Sequence, residues 1–125
     1  MRALVAALLL VSLGCSKSPT EPGAGTATAQ LRYGETVNIL GMRLSFEDIT
    51  DSRCPKEVAC VWEGDAAVQL QSNNERLLLH TTGVAGQASG KLGGADVTLV
   101  EVQPQRITLA EMKKTDYVIT IRVSR

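Results

Sequence analysis

From residue 29 onward, apolar side chains recur at every second position over most of the chain. Tyr117, Ile119, Ile121 and Val123 alternate with Val118, Thr120, Arg122 and Ser124. Met42, Leu44 and Phe46 alternate with Arg43, Ser45 and Glu47. Cys60, Trp62, Ala66, Val68 and Leu70 share one parity, with Gly64 between them, and Val37 and Ile39 form a shorter run after Tyr33-Gly34-Glu35. Period two predicts strands with one buried face. The unbroken run Leu77-Leu78-Leu79 predicts a strand covered on both faces. Val97 and Leu99 give way to Val100 and Val102, a change of parity that predicts a bulge or a change of facing sheet. Turn signals at Asn73-Asn74, Gly93-Gly94 and Pro104 separate the runs. The glycine-rich stretch Thr81 to Ala95 reads as a mobile hairpin loop, and only Leu109 to Lys114 suits a turn or two of helix. Six or seven short strands over residues 29–125 predict an all-β protein, a single antiparallel β-sandwich or barrel-like domain.

The first residues follow a different pattern. Arg2 precedes an apolar run, Ala3 to Leu13, broken only by Ser12. A bilayer span needs about 20 apolar residues; this run has the length of a secretory signal core. It ends in Ser12-Leu13-Gly14-Cys15, which resembles the end of a bacterial lipoprotein signal peptide. The resemblance implies that residues 1–14 are removed and that Cys15 carries the lipid as the mature N-terminus. The family usually places Leu three residues before the cysteine and a small residue two before; here Ser12 and Leu13 stand in the opposite order. Cleavage near Ala27-Thr28-Ala29 is the alternative, at a site far from the apolar run. Ser16 stands where an inner-membrane retention signal has Asp, which favours the outer membrane in a Gram-negative host. Residues 16–28, SKSPTEPGAGTAT, have almost nothing to bury and read as a flexible tether.

Composition narrows the chemistry. The 125 residues carry 13 basic and 13 acidic side chains, so no global charge excess points to nucleic acid. Aromatics number four, Trp62, Tyr33, Tyr117 and Phe46, too few for a stacking platform. Three cysteines and one histidine cannot supply a four-ligand zinc site beside a disulfide, and no cofactor is expected. With Cys15 lipidated in an exported chain, Cys54 and Cys60 remain as an even pair and predict one disulfide. Their spacing is not Cys-x-x-Cys, which argues against a thioredoxin-like redox site. Gly86-Gln-Ala-Ser-Gly90-Lys91-Leu92 misses the phosphate-loop pattern in glycine spacing and in the residue after Lys91. Ser89 lacks the Gly-x-Ser-x-Gly setting of a hydrolase nucleophile. His80, a lone histidine at a strand end, finds no nucleophile in the sequence to complete a hydrolytic set.

The stretch Asp51-Ser52-Arg53-Cys54-Pro55 through Cys60-Val61-Trp62-Glu63-Gly64 stands out. It is similar to a family of small secreted bacterial proteins and lipoproteins with the pattern DSRCPxxxxCxWxG. The likeness extends to Leu44-Ser-Phe46 before the motif, to Val102-Gln103-Pro104, and to a closing strand from Asp116-Tyr117 to Val123. It implies export and an all-β fold, and carries no activity.

Parity places Trp62 with Val68 and Leu70, so its expected role is packing beside the disulfide in the core; an exposed binding anchor is the alternative. Arg53, among Asp48, Asp51, Glu57, Glu63 and Asp65, is expected to pair with Asp51 or a neighbouring acid, the alternative being a reader of a partner's carboxylate or phosphate. Residues 29–75 carry a net charge of −4 and residues 76–125 a net of +3. The acids around the cysteines allow a calcium site in principle, but lack the order of a calcium loop. The reading that results is a lipid-anchored envelope protein, not an enzyme, that presents a disulfide-braced binding loop to another envelope protein or to a small ligand. The candidate loop residues are Arg53, Lys56, Glu57, Val58 and Trp62. A structural envelope protein without a discrete ligand, or a protease-inhibitor-like loop carrying Lys56, are the alternatives.

Overall fold

The computed structural model describes residues 25–125. Eight strands follow one another: β1 Thr26–Arg32, β2 Thr36–Ile39, β3 Met42–Asp51, β4 Ala66–Ser72, β5 Glu75–His80, β6 Ser89–Leu92, β7 Ala95–Gln103 and β8 Val118–Ser124. They form two antiparallel four-stranded sheets, β1-β8-β7-β6 and β2-β3-β4-β5. Within each sheet, chain neighbours are hydrogen-bonded neighbours except where β1 pairs with β8. The result is an all-β sandwich, equivalent to a flattened up-and-down ring of eight strands whose ladder is interrupted between β1 and β2 and between β5 and β6.

Alternation decides the packing. Ile119, Ile121 and Val123 of β8, Ala66, Val68 and Leu70 of β4, and Met42, Leu44 and Phe46 of β3 all point into the space between the sheets and are buried. Tyr33 closes over Phe46 edge to face, with ring centroids 5.7 Å apart. The expected parity change in β7 is a register shift between Leu99 and Glu101: Val100 is turned outward and Val102 returns to the core. β3 has a second shift between Phe46 and Asp48, which brings Ile49 inward.

Three expectations are corrected. Leu77-Leu78-Leu79 is not covered on both faces: Leu79 is buried, Leu78 is exposed and Leu77 is intermediate. The reason is that β5 is an edge strand of a sheet with one face on the core. The Thr81–Ala95 stretch is not one long loop, because Ser89–Leu92 pairs with β7 as β6. The helix expected over Leu109–Lys114 does not form: residues 109–113 are irregular, and a single 3₁₀ turn follows at Lys114–Asp116. β1 also reaches back to Thr26, into the segment whose composition reads as tether.

The two poles of the sandwich differ. At one, the hairpins turn in two residues each, at Leu40-Gly41, Asn73-Asn74 and Gly93-Gly94. Positive φ at Leu40, Gly41, Asn73, Gly93 and Gly94 gives these turns the twist that tight hairpins need. Gly25 and Arg125 meet at this same pole through paired main-chain hydrogen bonds of 3.2 and 2.9 Å. The longer connections, residues 52–65, 81–88 and 104–117, gather at the other pole.

Candidate functional site

The cysteine loop is held at several levels. Cys54 and Cys60 are bridged. Beneath the bridge, Ser52 N–H donates to Asp65 O at 2.7 Å and Cys54 N–H to Glu63 O at 2.8 Å, extending the β3–β4 pairing into the loop. Gly64 makes this approach possible. It has φ +74°, and a Cβ there would stand 2.1 Å from Ser52 O. Lys56 N–H then donates to Arg106 O at 3.1 Å and Glu57 N–H to Ile107 O at 3.0 Å, tying the loop to the β7–β8 connection.

Arg53 anchors both. Its Nε donates to Asp51 Oδ1 and its Nη2 to Asp51 Oδ2, each at 2.9 Å, a two-point ion pair. Nη1 reaches Val102 O at 3.1 Å and Nη2 also reaches Pro104 O at 2.9 Å, so the guanidinium clips one sheet to the other. Tyr117 completes the group by donating its hydroxyl to Asp51 Oδ2 at 2.7 Å. Burial pushes the Asp51 carboxyl up, but the bonds from Arg53 and Tyr117 outweigh it and hold the carboxyl below its ordinary value. Burial, reinforced by the bond to Asp51, pushes the Tyr117 phenol up to about 12. The expected pairing of Arg53 with Asp51 is present, and this guanidinium is occupied by the protein itself.

A second buried carboxylate, Asp65, organises the start of the 81–88 connection. Its Oδ2 lies 2.7 Å from His80 Nδ1, and its Oδ1 accepts from the main-chain N–H groups of Thr81 and Thr82 at 2.9 and 3.1 Å. Burial pushes this carboxyl up, and the bonds from His80, Thr82 and Thr81 more than reverse that. An Asp–His pair is also the orienting half of a hydrolytic triad. Here Gly86 packs against the ring, and a Cβ on it would lie 2.6 Å from Nε2. The outer acid Asp48 pairs with Lys114. Asp48, Asp51 and Asp65 are thus held by separate partners, and among the described residues no group of three or more His, Cys, Asp or Glu is placed to hold a metal ion.

Trp62 is corrected. It is not core but 50% exposed, and Val61 beside it is fully exposed. Parity fails because Gly64 turns the chain and β4 begins only at Ala66, so positions 60 and 62 do not continue that strand. Lys56 and Glu57 are exposed and Val58 is intermediate. Cys15 lies outside the described residues. An inhibitor-like loop would offer a protease an unpaired extended backbone, whereas Lys56 and Glu57 have their N–H groups engaged on residues 106 and 107.

A cleft of about 280 Å³ opens beside the disulfide, lined by residues of the cysteine loop, by Thr81 and Thr82, and by Gln105 and Arg106. Exposed apolar side chains surround this pole: Val61 and Trp62, Val84, and Ile107 and Leu109, one group from each long connection. Sequence reading misses Arg106 and Asp65. Asp65 had a signal: the Asn73-Asn74 turn pairs Ser72 with Glu75 and Ala67 with His80, and continuing that register puts Asp65 opposite Thr82. Arg106 had none, because nothing local links residue 106 to residues 51–57. The chain matches no protein-family profile, no curated protein and no solved structure.

Proposed function

We propose that the protein is a lipid-anchored envelope binding module that holds its disulfide-braced loop away from the membrane, toward another envelope protein. The observation that carries this reading is the exposure of Val61, Trp62, Ile107 and Leu109 on two long connections, tied together by the Glu57–Ile107 main-chain bond, at the pole opposite Gly25. Single exposed apolar residues are ordinary, but several on adjoining loops form the kind of patch that partners cover. The chain enters the domain at the tight-turn pole, so a lipid on Cys15 and the tether after it would leave the loop pole facing outward.

Two experiments test the reading. Cys15→Ala should move the protein from the membrane fraction to the soluble fraction; an unchanged distribution rejects the anchor. In-cell crosslinking of the full-length chain should capture one dominant partner, lost when Val61 and Trp62 are both changed to Ser. Both side chains are exposed, so the fold should tolerate the change. Equal capture by both proteins, or none by either, rejects the binding module and leaves a structural envelope protein.

A further inference from the structure

The charged side chains are unevenly placed along the axis that joins the two poles. Within four residues of the tight turns, or of the paired Gly25 and Arg125, stand five basic side chains, Arg43, Arg76, Lys91, Arg122 and Arg125, and two acidic ones, Glu75 and Asp96. The net side-chain charge of this pole is +3, whereas the remainder of residues 25–125 carries six basic and ten acidic side chains, net −4. Both acids of the basic pole have partners of their own. Asp96 pairs with Lys91 at 2.8 Å, and Glu75 accepts from Gly93 N–H at 2.8 Å. Among the described residues no carboxylate forms an ion pair with Arg43, Arg76, Arg122 or Arg125, and all four are exposed.

Alternation sets where these cations stand. Arg43 lies between buried Met42 and Leu44 and so faces outward from the β2-β3-β4-β5 sheet, where exposed Arg76 pairs with Gln71. Arg122 lies between buried Ile121 and Val123 and faces outward from the other sheet. Arg125 follows at the end of β8, and its Nη1 donates to Leu40 O in the β2–β3 hairpin at 3.1 Å. The pole is thus ringed by cations on both outer faces. The turns inside the ring, Leu40-Gly41, Asn73-Asn74 and Gly93-Gly94, carry no large exposed apolar side chain to insert into hydrocarbon, so charge is the means of attachment this pole offers.

We propose that the tight-turn pole docks on a membrane surface through the headgroup phosphates of anionic phospholipids. The proposal rests on the lipid-anchor reading for the place of the membrane, and adds to it a lipid preference and a fixed orientation. Nine residues, 16–24, separate Cys15 from Gly25, a reach of at most about 30 Å. A lipid on Cys15 therefore confines the basic pole near the headgroups, where each exposed Lys or Arg adds to the attraction of an anionic surface. The same surface repels the net-negative remainder of the domain, which turns the loop pole outward.

The test uses the full-length chain with Asn74→Cys, in an exposed turn of this pole, labelled with a fluorophore. It is reconstituted into vesicles that carry a quencher on the lipid, made of phosphatidylcholine alone or with about one third phosphatidylglycerol. The expected result is quenching at least about twofold stronger in the anionic vesicles at low salt, falling to the neutral level as salt rises from about 0.05 M to about 0.5 M. Arg43→Gln, Arg76→Gln and Arg122→Gln together should abolish the difference, and the fold should tolerate them because all three are exposed and outside any ion pair. Arg32→Gln with Lys113→Gln, exposed cations away from this pole, should leave the difference in place. Equal quenching in both vesicles, a difference that salt does not reduce, or a triple variant that behaves as wild type each overturns the docking face. Retention of the chain on neutral vesicles at high salt reads the anchor separately. If the chain washes off them, the anchor reading falls, and docking is then read from sedimentation of the unanchored chain. Binding to anionic vesicles at least roughly tenfold above neutral ones, lost in the triple variant, supports it, and no preference overturns it.

Discussion

At the scale of single residues, two buried carboxylates hold the loop pole together. Asp51, with a side chain only 4% exposed, receives Arg53 and Tyr117, and Asp65 receives His80 and the turn at Thr81-Thr82. Removing one member of a buried pair strands the other, so Asp51→Ala should cost about 3 kcal/mol in urea unfolding. Tyr117→Phe removes one charge-assisted hydrogen bond and should cost about 2 kcal/mol. Both carboxyls titrate below their ordinary 3.8 when folded, so near and below that pH the unfolded chain binds more protons than the folded one. Their stabilisation is therefore complete above about pH 5 and disappears as pH falls through the lower folded-state values. The urea midpoint should hold steady down to that pH and then decline, and Asp51→Asn combined with Asp65→Asn should make the decline shallower. An equally steep decline in the double variant would place the acid sensitivity elsewhere.

At the scale of elements, the cysteine loop is an extension of the β3–β4 pairing more than a separate flap. Gly64→Ala sets a Cβ against Ser52 O, Arg53 Cα and Cys54 N at a positive φ, and should cost more than about 2 kcal/mol. Gly34→Ala, at φ +79° with nothing within 4 Å, should cost only the backbone strain, about 1 kcal/mol. Thermal unfolding of the two variants side by side measures the difference. Replacing Cys54 and Cys60 by Ser releases a small closed loop, worth about 2 kcal/mol in the chain-entropy view. Far-UV circular dichroism should keep its strand signal, because the Ser52–Asp65, Cys54–Glu63 and Lys56–Arg106 main-chain bonds remain. Much of this level was legible beforehand. The alternation in β3, β4 and β8, the bulge at Val100 and two of the three tight turns follow from local pattern. Leu77-Leu78-Leu79 was misread because a continuous apolar run does not say whether its strand lies at the centre or the edge of a sheet. Trp62 was misread because parity holds only while the strand continues.

At the scale of the whole molecule, the two poles are built differently. Tight turns and the entry of the chain occupy one, and the long connections with their cleft and exposed apolar side chains occupy the other. If Cys15 carries the lipid, a fluorophore at Asn74 should be quenched by membrane-embedded quencher more strongly than one at Val61; the reverse order would invert the proposed orientation. By itself the sequence determined the all-β class, the buried faces of β3, β4 and β8, the disulfide and the pairing of Arg53 with Asp51, because each depends on residues near one another along the chain or on period two. Only the tertiary structure decided the joining of β1 to β8, the meeting of Tyr117 with Asp51, and the place of Arg106 beside Lys56. Those contacts join residues roughly 50 to 100 positions apart, which meet only when two sheets close on a shared core, and no local periodicity encodes that closure.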